Sequence, residues 1–329
     1  MPDVTPPIPS VSSEIPAPKA GPSNLRQRII YGLIGAAMLL GSVWFSPWTF
    51  GLFFAAVQAV MLWEFYRMMR AGGYAPAAWI GVGASVFVFI VSAVLKFNMH
   101  TDINRIDFAT AGGTGWHTII LPSVWILGPL LLLPTILVVR EMLLWPRYEK
   151  PFSNIGATLA GLVCVTLPMC LLIGLAYNFT LISDVPISVN LMHPVGYDYR
   201  RIFALLFLIW ASDIGAYAAG KTFGKHKMAP QISPGKTWEG WAGGFALTLV
   251  VGWAVGFMLP DMPLAHRLVA AGVVAVFAPL GDLAESMLKR SVGVKDSGSI
   301  MPGHGGLLDR FDAFLLVLPV LALLQLLVG

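Results

Sequence analysis

Long apolar runs alternate with short polar breaks along almost the whole chain. They fall at about 29–45, 49–66, 76–95, 118–139, 154–177, 201–219, 241–260, 266–288 and 312–328. A helix needs about 20 apolar residues to cross the hydrocarbon core of a bilayer, and these runs have that length. The pattern predicts an all-α, polytopic integral membrane protein of about nine transmembrane helices. Residues 1–25 are different, being rich in Pro and Ser without any apolar run, and predict a disordered tail. The tail has no h-region, so no signal peptide is expected before the first span. Three parts follow: the tail at 1–25, a first set of spans at 26–200, and a second set at 201–329 that holds most of the charged motifs.

Composition sharpens this picture. With 57% hydrophobic and only 12% charged residues, the chain is too apolar for an ordinary soluble domain. Basic residues then set orientation. Arg26, Arg28, Arg67, Arg70, Arg140, Arg147, Lys150, the lysines from Lys221 to Lys236, and Lys289 to Arg310 fall on one side, against chiefly Lys96, Arg105, Arg200, Arg201 and Arg267 on the other. The positive-inside rule therefore predicts a cytoplasmic N-terminus, with both charged motifs on the cytoplasmic side. Cys164 and Cys170 lie six apart in one apolar run, a poor geometry for a disulfide. Glu64, at the end of the second span, reads as an interfacial acid paired at i, i+3 with Arg67.

The densest charge lies between the last two spans, from Gly281 to Asp312. If the flanking segments are helical, Asp282 and Glu285 share one face, and Asp309 and Asp312 share a face of the next helix. Carboxylates near the lipid boundary are costly unless they bind a cation or line a polar cavity. Facing carboxylates are hard oxygen ligands of the kind Mg²⁺ takes. Gly298, Gly303, Gly305 and Gly306 permit close backbone approach, and Lys295, His304 and Arg310 can neutralise anionic oxygens. Metal, basic side chains and flexible backbone together suggest phosphoryl or nucleotidyl transfer. The plainer alternative is a solvated positive-inside loop, which would account for Lys289 and Arg290 alone.

A second charged cluster spans Asp213 to Gly240. Asp213 interrupts an apolar run and is either a functional group or the partner of a neighbouring helix. Beyond it a loop is expected that carries Lys221 and then the Ser-Pro-Gly-Lys-Thr run, where Ser233, Lys236 and Thr237 suit a phosphate. The run is not a P-loop, because the first glycine of G-x4-GK[ST] is missing.

The run Ser286-x-Leu288-Lys289-Arg290-x4-Lys295-Asp296-x-Gly298-x3-Pro302-Gly303-His304-Gly305-Gly306-x2-Asp309-Arg310-x-Asp312 closely resembles the signature of the phosphatidate cytidylyltransferases, the CDP-diacylglycerol synthases. Asp213, Ala216-Tyr217, Gly220-Lys221, Phe223-Gly224, Ile232-Ser233-Pro234, Lys236-Thr237 and Glu239-Gly240 match that family's upstream motif. The resemblance is strong over 213–312 and upstream rests on the number of spans alone. It implies transfer of CMP from CTP to phosphatidic acid, giving CDP-diacylglycerol and pyrophosphate. It also implies Mg²⁺ on Asp282 and Asp309, K⁺ as a possible second cation, and catalytic roles for Asp282, Asp309, Asp312 and Lys289. Substrate contacts are expected from Asp213, Lys221, Ser233, Lys236, Arg290, Lys295, His304 and Arg310, with His304 preferred as a phosphate or loop contact over a general base. A homodimer in a bacterial inner membrane, with its active site facing the cytoplasm, completes the expectation. The rival readings are a transporter using Asp213, Asp282 and Asp309 as ion-coupling groups, and a CTP-dependent lipid kinase.

Overall fold

The computed structural model describes residues 23–103, 131–177, 196–300 and 305–328. Residues 1–22, the N-terminal part of the 118–139 run, most of the polar stretches 96–117 and 178–200, and His304 lie outside the described residues.

The chain is mostly helical. Helices α1 (Ser23–Phe45), α2 (Pro47–Ala71), α3 (Ala78–Ile103) and α4 (131–144) are followed by α5 (Pro151–Gly161) and α6 (Leu167–Ala176), which are continuous through a π-helical turn. Then come α7 (Tyr199–Phe223), α8 (Trp238–Ala254), α9 (Leu264–Ser291) and α10 (Leu308–Val328). Each apolar run of the sequence overlaps one of these helices. Among the described residues, six helices are long and apolar enough to cross a membrane. Large exposed apolar side chains such as Trp79, Phe152 and Phe257 suit contact with lipid. The protein is a helical, polytopic membrane protein.

Local sequence explains the helix breaks. Ser46 separates α1 from α2 with a capping box, its hydroxyl accepting from Thr49 N at 3.1 Å while its own N–H donates to Thr49 Oγ1 at 3.0 Å. The π-turn at Leu162–Thr166 ends two residues before Pro168, whose missing N–H breaks the regular ladder there. Cys164, within this turn, and Cys170, beyond Pro168, are free thiols.

One expectation needs correction. Residues 224–237 are not simply a loop: β1 (Lys227–Ala229) pairs antiparallel with β2 (Ser233–Thr237), with Lys227 opposite Thr237 and Ala229 opposite Ser233. The hairpin is pinned at its base. Trp238 N donates to His226 O at 3.0 Å, and Thr237 Oγ1 caps α8 by accepting from Gly240 N at 3.1 Å.

Small residues decide which helices touch. A Cβ at Gly215 of α7 would lie 2.7 Å from Gly243 O of α8, one at Gly244 would lie 2.6 Å from Ser212 O, and one at Gly240 would lie 2.8 Å from Ala216 O. The two backbones therefore pack in direct contact, the arrangement that small residues allow between membrane helices. α2 forms the centre of the rest, with Phe50, Phe54, Met61, Leu62 and Tyr66 fully buried. Its C-terminal half is braced by Tyr66, whose hydroxyl donates to Thr158 O of α5 at 2.8 Å. It also meets α10, where the Phe54 and Phe311 rings stand edge to face at 6.1 Å.

Candidate active site

Glycine also builds the site. Gly281 precedes Asp282 on α9, and a Cβ there would lie 2.6 Å from Asp312 O on α10. That close approach brings Asp282 and Glu285, one turn apart on α9, against Asp312 in the first turns of α10. One carboxylate oxygen from each of Asp282, Glu285 and Asp312 lies within 4.8 Å of the others. An ion ligated at about 2.1 Å has opposite ligands about 4.2 Å apart, so three oxygens at this spacing are near the span that one cation needs.

The hydrogen bonds of these acids fit a cation as well. Both oxygens of buried Glu285 lack an aligned hydrogen-bond donor, although Lys289 Nζ forms an ion pair with the carboxylate. Asp282 has Lys236 Nζ at 2.8 Å and a long contact of 3.3 Å from Ser286 Oγ, and Asp312 accepts the adjacent Ala313 N–H at 2.6 Å. A buried carboxylate such as Glu285 that is this short of donors is costly unless positive charge reaches it, while Asp282 and Asp312 beside it are only partly buried.

Asp309 is arranged in the opposite way. Its carboxylate accepts from Lys289 Nζ at 2.7 Å, Gly306 N at 2.8 Å and Ser297 N at 3.2 Å. The sequence reading paired Asp282 with Asp309 as the metal ligands, whereas the convergent group has Glu285 and Asp312 beside Asp282. Two backbone N–H groups of the segment before α10, those of Ser297 and Gly306, and the buried Lys289 all donate to Asp309. Lys289 is not the solvated loop residue of the plainer reading. It is buried at 8% exposure between Glu285 and Asp309, and so ties α9 to α10 rather than facing solvent.

Lys236 joins the two charged motifs. From β2 its ammonium reaches Asp282 Oδ2 at 2.8 Å and donates to Pro279 O at 2.8 Å, at the proline inside α9. Asp213 on α7 is exposed and lies within electrostatic reach of Asp282, Lys236 and Arg310. Ser233 opens β2, with its side chain partly buried. Lys221 is exposed, its ammonium 5.7 Å from the Tyr217 ring centre. Arg290 is exposed and donates to Val294 O at 3.2 Å, while Lys295 and Arg310 are exposed. Glu239 fixes the turn into the hairpin by accepting from Lys225 N at 3.1 Å and contacting His226 Nδ1 at 2.5 Å.

These motifs sit within a match that extends far beyond them. The sequence matches the model of the cytidylyltransferase family over residues 26–328. The chain belongs to this family. It is 32% identical over 302 residues to the phosphatidate cytidylyltransferase of Bacillus subtilis (strain 168), covering 91% of this chain and 96% of the relative. It is 30% identical over 307 residues to the phosphatidate cytidylyltransferase of Haemophilus influenzae, covering 90% of this chain and 96% of that protein. Against the phosphatidate cytidylyltransferase of Staphylococcus aureus (strain N315), identity rises to 48% over 124 residues, 37% of this chain and 47% of the relative. A nucleotide-transfer enzyme needs positive charge where phosphates meet, and the acid cluster with its surrounding lysines and arginines is where this member of the cytidylyltransferases can assemble it.

Two residues escaped the sequence reading of the site. Glu285 was recognised as facing with Asp282, but not as a member of the converging set. Glu64 was assigned to Arg67, and that assignment is corrected: its Oε2 accepts from Leu308 N at 2.8 Å and Ser297 Oγ at 3.2 Å. The only signal available was an acid near the end of an apolar run, which fits an interfacial pair equally well.

Proposed function

We propose that the protein is a phosphatidate cytidylyltransferase, transferring CMP from CTP to phosphatidic acid and releasing pyrophosphate. The observation that carries this reading is the union of both charged motifs at one point, Lys236 Nζ on Asp282 Oδ2, within a family match spanning the chain. A lipid phosphate oxygen attacks the α-phosphorus of CTP, a new P–O bond forms, and the bond to the β-phosphate bridging oxygen breaks in line. The nucleophile belongs to the lipid, so no side chain needs to form a covalent intermediate. Both reactants are anions, and the protein must first offset their repulsion. Asp282, Glu285 and Asp312 would hold Mg²⁺, which when bound supplies positive charge to phosphate oxygens. Lys236, Arg290, Lys295 and Arg310 neutralise the rest, with Lys221, Ser233 and His304 as further substrate contacts. Asp213 extends the acidic field toward α7. Lys289 and Asp309 hold the geometry of the cluster, and K⁺ is a second cation compatible with this acid-rich site.

The finer topology belongs to the same proposal: about nine spans, a cytoplasmic N-terminus, a disordered tail at 1–25, and division at about residue 200 into a first helical part and a catalytic part. The positive-inside distribution of lysine and arginine supports it. With the active site at the cytoplasmic face of a bacterial inner membrane, phosphatidate enters laterally and CTP from water. A homodimer is the assembly expected. The test is turnover of purified protein in detergent with phosphatidic acid, α-labelled CTP and Mg²⁺, with EDTA and Asp282→Asn as controls. Label should enter the lipid phase only with metal and the intact acid. Folded protein that leaves the lipid unlabelled would overturn the reading.

A further inference from the structure

We propose that Glu64 is a positioning residue for the reaction, holding the glycine-rich loop and the start of α10 in register with the acid cluster; this rests on the cytidylyl-transfer reading above. Glu64 belongs to α2, in the part of the chain that contributes none of the signature residues. It is nevertheless buried, at 2% exposure, inside the signature loop.

Its position is specified from three directions. Leu308 N is one of the amide groups that the first turn of α10 leaves without a helical partner, and Glu64 Oε2 accepts it at 2.8 Å. A carboxylate at that place also lies at the positive end of the helix dipole. Ser297, at the other end of the loop, donates its hydroxyl to the same oxygen at 3.2 Å. Ser297 N and Gly306 N meanwhile donate to Asp309. The described ends of the loop, at Ser297 and at Gly306 to Leu308, are thus held by two carboxylates, Glu64 from α2 and Asp309 from α10.

The third direction is steric. A Cβ at Gly298 would lie 2.1 Å from Glu64 Oε1 and 2.7 Å from its carboxyl carbon. One at Gly306 would lie 2.1 Å from Ser297 Oγ and 2.5 Å and 2.7 Å from the two Glu64 oxygens, the nearer of which accepts from Ser297 Oγ. Gly298 therefore has a reason that lies outside the signature, making room for this side chain, and Gly306 makes room for it together with Ser297. Rigid support is present behind it. Tyr66, two residues on, is fully buried and bonded to α5, and Gly161 of α5 packs where a Cβ would lie 2.6 Å from the Tyr66 ring. An anchor on so rigid a helix fixes where the loop lies relative to Asp282, Glu285 and Asp312, and misplacement by about 1 Å can cost about 10²-fold in rate.

The experiment uses the full-length protein in detergent, with Glu64→Ala, Glu64→Gln, Gly298→Ala and the double variant Glu64→Ala/Gly298→Ala. Steady-state kinetics, thermal melting and amide hydrogen exchange are read on each. Glu64→Ala is expected to lower kcat by about 10²-fold with KM for phosphatidate little changed. Exchange should quicken across 295–308 but not in α7 or α8. Glu64→Gln keeps an oxygen for Leu308 N and Ser297 Oγ and should recover most of the loss. Gly298→Ala should be harmful alone and add little in the Glu64→Ala background, where the space is free. Should Glu64→Ala not fold, Glu64→Asp, which withdraws the oxygen by one methylene, takes its place with the same expectations. Wild-type kcat in the alanine or aspartate variant, faster exchange throughout the chain, no recovery with glutamine, or additive effects in the double variant would each overturn the proposal. Failure of the wild-type protein to make CDP-diacylglycerol would instead strike the reaction assigned above, while the exchange and melting data would still decide whether Glu64 anchors the loop.

Discussion

Two groups of carboxylates stand a few residues apart in this site and are treated oppositely by the fold. Asp309 is supplied with donors, from Lys289 Nζ, Gly306 N and Ser297 N. Glu285 has no aligned donor for either oxygen, and Asp282 and Asp312 have few. A carboxylate whose lone pairs are filled by the protein serves as a structural anchor, whereas a cluster left short of donors is one that can accept a cation. The difference separates what holds the loop from what is available to bind.

The most severe test of that division is Asp282→Asn. Loss of turnover on the order of 10²–10³-fold is expected, together with weaker binding of Mn²⁺, followed as a Mg²⁺ surrogate by electron paramagnetic resonance, and an unchanged melting temperature. Asp309→Asn should weaken Mn²⁺ binding far less, and equal effects of the two substitutions would erase the distinction. Next comes Lys289→Ala, which leaves Glu285 and Asp309 buried without their shared ammonium. Breaking such a buried pair costs about 3–5 kcal/mol, so melting in detergent should fall well below that of the Asp282 variant; an unaltered melting temperature would mean that Lys289 does not join the helices.

Gly281→Ala sharpens the comparison from another side. The added Cβ would meet Asp312 O at 2.6 Å, and overpacking of this kind costs about 1–3 kcal/mol. Spreading α9 from α10 should weaken Mn²⁺ binding without removing any carboxylate, and wild-type binding would show that the close approach is not what gathers the acids. The smallest effect is expected from deleting residues 1–20, which should leave specific activity intact. A large loss on that deletion would give the tail a role.

The helices were legible because a span of about 20 apolar residues is a strong signal that needs no partner to interpret. Asp282 and Glu285 were legible as one face for the same kind of reason, since i, i+3 neighbours follow from helical geometry alone. The hairpin at Lys227–Thr237 was not, because its strands are three and five residues long and carry no alternating apolar pattern. Glu64 was misassigned to Arg67 because a helix offers local partners that a single sequence cannot choose among.

By itself, then, the sequence determined the class of protein, the places of its helices and the residue types of its chemistry. These follow from periodicity, run length and motif spacing, all of which are local. Only the tertiary structure decided which acid stands beside Asp282, which carboxylate Lys289 and the loop amides satisfy, and that Glu64 reaches across 233 positions to Ser297 and 244 to Leu308. Those choices depend on the rotation and close approach of helices, set by glycines such as Gly281, on room that a loop glycine such as Gly298 leaves for a distant side chain, and on a competition for hydrogen-bond donors that exists only once distant segments meet.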